Sequence, residues 1–103
     1  RTDNGRLFTS RNLDWNKGMG PAKLVTVYRI NNQKAYATFG YIGYIGALSG
    51  MSAAGVTVSQ TNLDNARVNF DGIPWPVRLR QLLGEATTLG EAKTLWASLN
   101  NTA

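Results

Sequence analysis

The 103-residue chain contains no cysteine and no histidine. Without a thiol or an imidazole, it has by itself no thiolate chemistry, none of the usual zinc ligands and no imidazole base. Few nucleophilic mechanisms survive that subtraction. The missing cysteines leave the compartment open, since a Cys-free domain suits both the reducing cytosol and disulfide-free secretion. No apolar run approaches the roughly 20 residues of a membrane span, and no charged-then-apolar start resembles a signal peptide. Charge is lopsided, with eleven Lys and Arg against six Asp and Glu, a net +5. The basic residues are nevertheless scattered from Arg1 to Lys93 and form no stripe interleaved with aromatics, so no nucleic-acid surface is expected.

What remains is enough to fold. Apolar residues make up 43% of the chain and charged ones 17%, with three Trp, four Tyr and three Phe. That composition supports a buried core rather than disorder, and the length fits a single core.

From Leu7 to Trp15 the residues alternate, Leu7, Thr9, Arg11, Leu13 and Trp15 falling on one side, which predicts a strand. A breaker-rich loop, Asn16 to Pro21, precedes Lys23–Ile30 (KLVTVYRI), where β-branched residues and Tyr predict a second strand. The turn-prone Asn31-Asn32-Gln33 then returns the chain through Lys34–Tyr41 as the antiparallel partner in a hairpin. Glycines at 43, 46 and 50 suit bends and close backbone approach, and point to packing more than to binding. Ser52 to Gly55 reads as a turn and Val56–Leu63 as a further strand.

Beyond the polar stretch Asp64–Gly72 the period shifts from 2 to 3.6. Leu79, Leu82, Leu83 and Ala86 form a helical stripe, with Pro74 and Pro76 near its start, where a missing N–H does least harm. Thr88 and Glu91 match a capping box, and Ala92, Leu95, Trp96 and Leu99 form a second stripe. Trp75 and Trp96 are expected in the core. The class is therefore α+β, an antiparallel sheet with strands over about 7–63 followed by two helices over about 74–100, in one domain spanning 1–103.

Arg11-Asn12-Leu13-Asp14-Trp15 carries the strongest chemical signal. On a regular strand, positions i and i+3 point to opposite faces, so Arg11 and Asp14 share a site only if the strand bends or ends near Asn12 or Leu13. Otherwise they are an ordinary surface pair. Asn62 suits a strand-end turn as well as a side-chain amide donor.

Taken in order, Asn4-Gly5-Arg6-Leu7-Phe8, RNLDW at 11–15, GMSAAGVTV at 50–58, Asn62 and the Gly72–Arg80 run (GIPWPVRLR) resemble the N-terminal-nucleophile hydrolases around choloylglycine hydrolase, acid ceramidase and acyl-CoA:isopenicillin N acyltransferase. The resemblance runs from Asn4 to about Leu99. It implies that the chain is part of an αββα sandwich whose N-terminal cysteine, freed by autoproteolysis, attacks an amide carbonyl with its own α-amine as base. That amine is suited to the task by a pKa of about 7.7–8.0. By the resemblance Arg11 stabilises the thiolate, Asp14 accepts a hydrogen bond from the amine, Asn62 donates to the oxyanion and Trp15 walls the substrate site. No metal or organic cofactor is implied.

The chain departs from this family in lacking the cysteine. The expectation is therefore a fragment of an amidase or acyltransferase, inactive alone, with the nucleophile upstream of Arg1. Its partners would be the remaining parent segments or a sister subunit, with a small acyl-amide substrate and no membrane span. The competing class is a pseudoenzyme or an acyl- or lipid-binding module on the same scaffold.

Overall fold

The sheet begins from a turn. Asn32 adopts φ 63°, a left-handed conformation that Asn tolerates better than most residues, and Gln33 N–H closes the turn onto Ile30 O at 3.2 Å. The flanking segments pair antiparallel as β1 (Lys23–Tyr28) and β2 (Tyr36–Tyr41), in register from Lys23↔Tyr41 to Tyr28↔Tyr36. The computed structural model, which describes residues 2–13, 16–61, 69–98 and 100–102, adds β3 (Ser49–Ser52) and β4 (Thr57–Ser59) in the order β1-β2-β3-β4. All three pairings are antiparallel. The hairpin and the four-stranded antiparallel sheet agree with the sequence pattern.

Two of the expected strands change. Leu7–Leu13 joins no sheet among the described residues, and the rest of the expected Leu7–Trp15 strand, Asp14 and Trp15, lies outside them. Its alternation forms no ladder, and Leu7 is 67% and Phe8 72% exposed. The expected Val56–Leu63 strand contracts to Thr57–Ser59, its end at 62–63 lying outside the described residues. Ser49–Ser52, within the stretch assigned to bends and a turn, is instead β3.

The glycines explain β3. A Cβ at Gly50 would meet Leu83 Cδ1 at 2.6 Å and Ala37 O at 2.6 Å, so Leu83 of the first helix sits directly on the strand backbone. Gly46 is similarly closed, with Pro76 Cβ 2.3 Å from the position its own Cβ would take. These glycines allow close approach between the sheet and α1 (Trp75–Glu85), which is packing as expected. Pro76 lies in the first helical turn, where its absent N–H would be unpaired anyway.

Helix α1 buries Leu79, Leu82 and Leu83 against Tyr36 and Ala47, with Ala86 and Ala92 completing the core. Burying one such leucine contributes about 1.5–3 kcal/mol. Helix α2 (Leu89–Ala97) starts at Thr88, whose side-chain oxygen accepts from Glu91 N–H at 3.2 Å, while Glu91 Oε2 accepts from Thr87 N–H at 2.7 Å. α1 covers β2, β3 and β4, whereas the largest contact of α2 is with α1. Trp75 packs on the core, but Trp96, expected inside, is 38% exposed, although it shares a helix face with the buried Ala92. A short parallel pair, β5 (Ile73–Pro74) with β6 (Asn101–Thr102), ties the start of α1 to the end of the chain.

One sheet face is closed and the other open. Tyr36, Thr38 and Ser52, each 4% exposed, point toward α1. Val25, Val27, Phe39 and Met51, on the alternate positions, are 50–61% exposed. Among the described residues no layer covers them. No described helix is long and apolar enough to cross a membrane.

Candidate functional site

The open face carries a cleft of about 870 Å³ lined by Thr9–Leu13 and the sheet. Val25, Phe39 and Met51 supply its apolar floor and Ser49, Thr57 and Ser59 its hydroxyls, while Arg11 and Lys23 stand on its border. No carboxylate lines it among the described residues, and no group of three or more potential metal ligands occurs among them either.

Arg11 is the one predicted catalytic residue among the described residues, and it is held from the far end of the sheet. Its Nε–H donates to the Gln60 carbonyl at 2.9 Å and an Nη2–H to Gln60 Oε1 at 3.4 Å, across 49 positions of sequence. Gln60 lies one residue beyond β4, and its own N–H is anchored on Leu48 O at 3.1 Å. A planar guanidinium gripped through two nitrogens is fixed in orientation as well as position. The grip brings Arg11 beside Gln60 at the end of VTVSQ, so residues from two stretches that the sequence set apart meet. Asp14, Trp15 and Asn62 lie outside the described residues.

Two other arginines were not expected as site residues, since Arg78 and Arg80 merely flank the leucine stripe of α1. Arg78 is fully buried; its Nε donates to Asn101 Oδ1 at 3.0 Å and Nη1 to Gln81 Oε1 at 2.7 Å, and Nη2 has no partner among the described residues. Arg80 lies over the Tyr28 ring at 4.4 Å, donates to Tyr36 Oη at 3.1 Å and to Ile45 O at 2.7 Å, and so clamps the 42–46 loop to α1 beside the stacked Tyr28–Tyr36 pair. Such clamps depend on tertiary approach, and no local spacing announces them.

Compared with known protein families, with characterised proteins and with solved structures, the chain matches none.

Proposed function

We propose that the chain is one sheet-and-helix half of a cysteine N-terminal-nucleophile amidohydrolase or acyltransferase acting on linear amide bonds, the nucleophile being a residue outside these 103. The observation that carries the reading is the two-point hold of Gln60 on Arg11. It puts a rigid, always-charged group at the border of the cleft, next to the segment leading to Asn62. A fixed cation beside a thiol favours the thiolate. The open apolar face of the sheet adds support, since a sandwich requires a second layer there.

In this mechanism the thiol gives its proton to the α-amine and its sulfur bonds to the amide carbonyl carbon. The resulting oxyanion accepts the Asn62 amide N–H. Collapse breaks the C–N bond, the leaving amine takes the proton back, and water or a second amine removes the acyl group from sulfur. Arg11 holds the thiolate form and Asp14 the orientation of the α-amine.

The test is kinetic, on the complete parent protein with an N-acyl amide substrate. Arg11→Ala and Asp14→Ala are expected to lower turnover by orders of magnitude, and Asn62→Ala by about 10²–10³. Urea unfolding of each variant separates lost chemistry from a lost fold. Activity of both Arg11→Ala and Asp14→Ala within a few-fold of the parent overturns the proposal, as does a non-nucleophilic residue at the position matching the family's cysteine.

A further inference from the structure

Strand β1 is an edge, paired with β2 along its whole length without a bulge and with no strand on its other side among the described residues. An exposed edge offers N–H and C=O groups at alternate residues to any extended chain that arrives. Proteins usually blunt such edges with lysine or another charge on the edge, proline, a bulge or extreme shortness. β1 has six residues, KLVTVY, with none of these devices between Leu24 and Tyr28. Leu24, Val25 and Val27 are 44%, 57% and 61% exposed.

The stretch of chain that builds this edge carries charge of one sign. No Asp or Glu occurs between Asp14 and Asp64, whereas Lys17, Lys23, Arg29 and Lys34 do. Lys23 opens the strand and Arg29 follows its end, both exposed. Lys23, Val25 and Val27 share the pleat face turned from α1, so the edge presents cation, apolar, apolar and cation at two-residue intervals.

We propose that the free edge of β1 is a docking site for an extended acidic peptide segment of a partner protein, which adds to the sheet as an antiparallel strand. Apolar residues of that segment lie opposite Val25 and Val27, and its carboxylates lie opposite Lys23 and Arg29. Backbone hydrogen bonds supply the attachment, and the cross-strand pairs select register and charge. A second copy of the chain fits worse, because the antiparallel register that sets Val25 against Val27 also sets Lys23 against Arg29. The proposal does not rest on the hydrolase reading, since it uses the strand edge and needs no nucleophile.

The probe is a fluorescein-labelled, end-blocked peptide, Glu-Thr-Val-Thr-Val-Thr-Glu, titrated against the chain by anisotropy beside a twin with Lys at both Glu positions. The acidic peptide is expected to bind about fivefold more tightly than the twin, from two cross-strand charge pairs. That preference shrinks as salt is raised. Hydrogen exchange of Lys23–Tyr28 slows on binding, while that of Thr57–Ser59 at the opposite edge does not. The Lys23→Glu/Arg29→Glu variant reverses the preference. Equal affinity for the two peptides, no binding, or binding without protection of β1 overturns the proposal. So does β1 protection that rises with protein concentration in the absence of peptide, which is the signature of a second copy on the edge.

Discussion

Replacing Gly46 by alanine tests the closeness of α1 to the sheet. The added Cβ would lie 2.3 Å from Pro76 Cβ, 3.0 Å from Pro76 C and 3.1 Å from Pro76 Cα. Carbon atoms rest at about 3.5–4.0 Å, so loop and helix must part by more than an ångström. The proline ring cannot rotate away, and Ala47 N–H donates to Pro76 O at 2.9 Å, a bond the same movement strains. Overpacking of this kind costs about 1–3 kcal/mol, and the lost hydrogen bond about 1 kcal/mol more. Alanine's stiffer unfolded chain offsets about 0.4–1 kcal/mol of it. The expected net destabilisation is about 1–3 kcal/mol, a fall in Tm of roughly 5–20 °C for a chain of this size. Urea and thermal unfolding followed by circular dichroism at fixed protein concentration measure it. Gly84→Ala is the control: the nearest atoms to its Cβ are the Gln33 amide at 2.6–3.1 Å and Tyr36 Cε1 at 3.4 Å, and Gln33 is a flexible, exposed side chain. Helix propensity favours alanine there by up to about 1 kcal/mol. Gly46→Ala as stable as the parent, or costing less than Gly84→Ala, refutes this account of the sheet–helix contact.

The remaining predictions concern buried and capping charges. Arg78→Met is expected to stay within about 1 kcal/mol of the parent, because it removes a buried cation that has no acidic partner among the described residues, whereas Arg78→Ala loses about 2–4 kcal/mol to a cavity. A loss above about 3 kcal/mol for the methionine variant contradicts this account of Arg78. The Thr87 backbone N–H, first among several causes, holds the Glu91 carboxyl below its ordinary pKa. A depressed folded-state pKa contributes stability that is present above the unfolded value of about 4.3 and is lost as pH falls through the folded one. The stability gap between the parent and Glu91→Gln should therefore shrink from about pH 6 to about pH 3, and a gap independent of pH contradicts the cap. Thr88→Ala should cost about 1 kcal/mol in urea unfolding by removing the acceptor for Glu91 N–H; no change in midpoint would show that α2 does not depend on its cap.

The features legible in the sequence are those set by neighbours along the chain. The β1–β2 hairpin follows from β-branched runs around a turn that tolerates positive φ at Asn32. The α1 stripe and the Thr88–Glu91 cap follow from helical spacing, since i, i+3 and i+4 share a face in any helix. Other features were decided by contacts between distant segments. β3 is a strand through its pairing with β2 and β4, and Leu83, 33 positions from Gly50, packs on its backbone where no side chain stands. Leu7–Leu13 has the alternation of a strand, yet a strand needs a partner, and among the described residues none is offered. The RNLDW motif marked Arg11 as chemically interesting, but only the fold set its guanidinium on Gln60, because a hydrogen bond across 49 residues leaves no local period to read. Arg78 is the sharpest divergence: its spacing places it beside a leucine row, and only the closure of β6 over the start of α1 buries its charge.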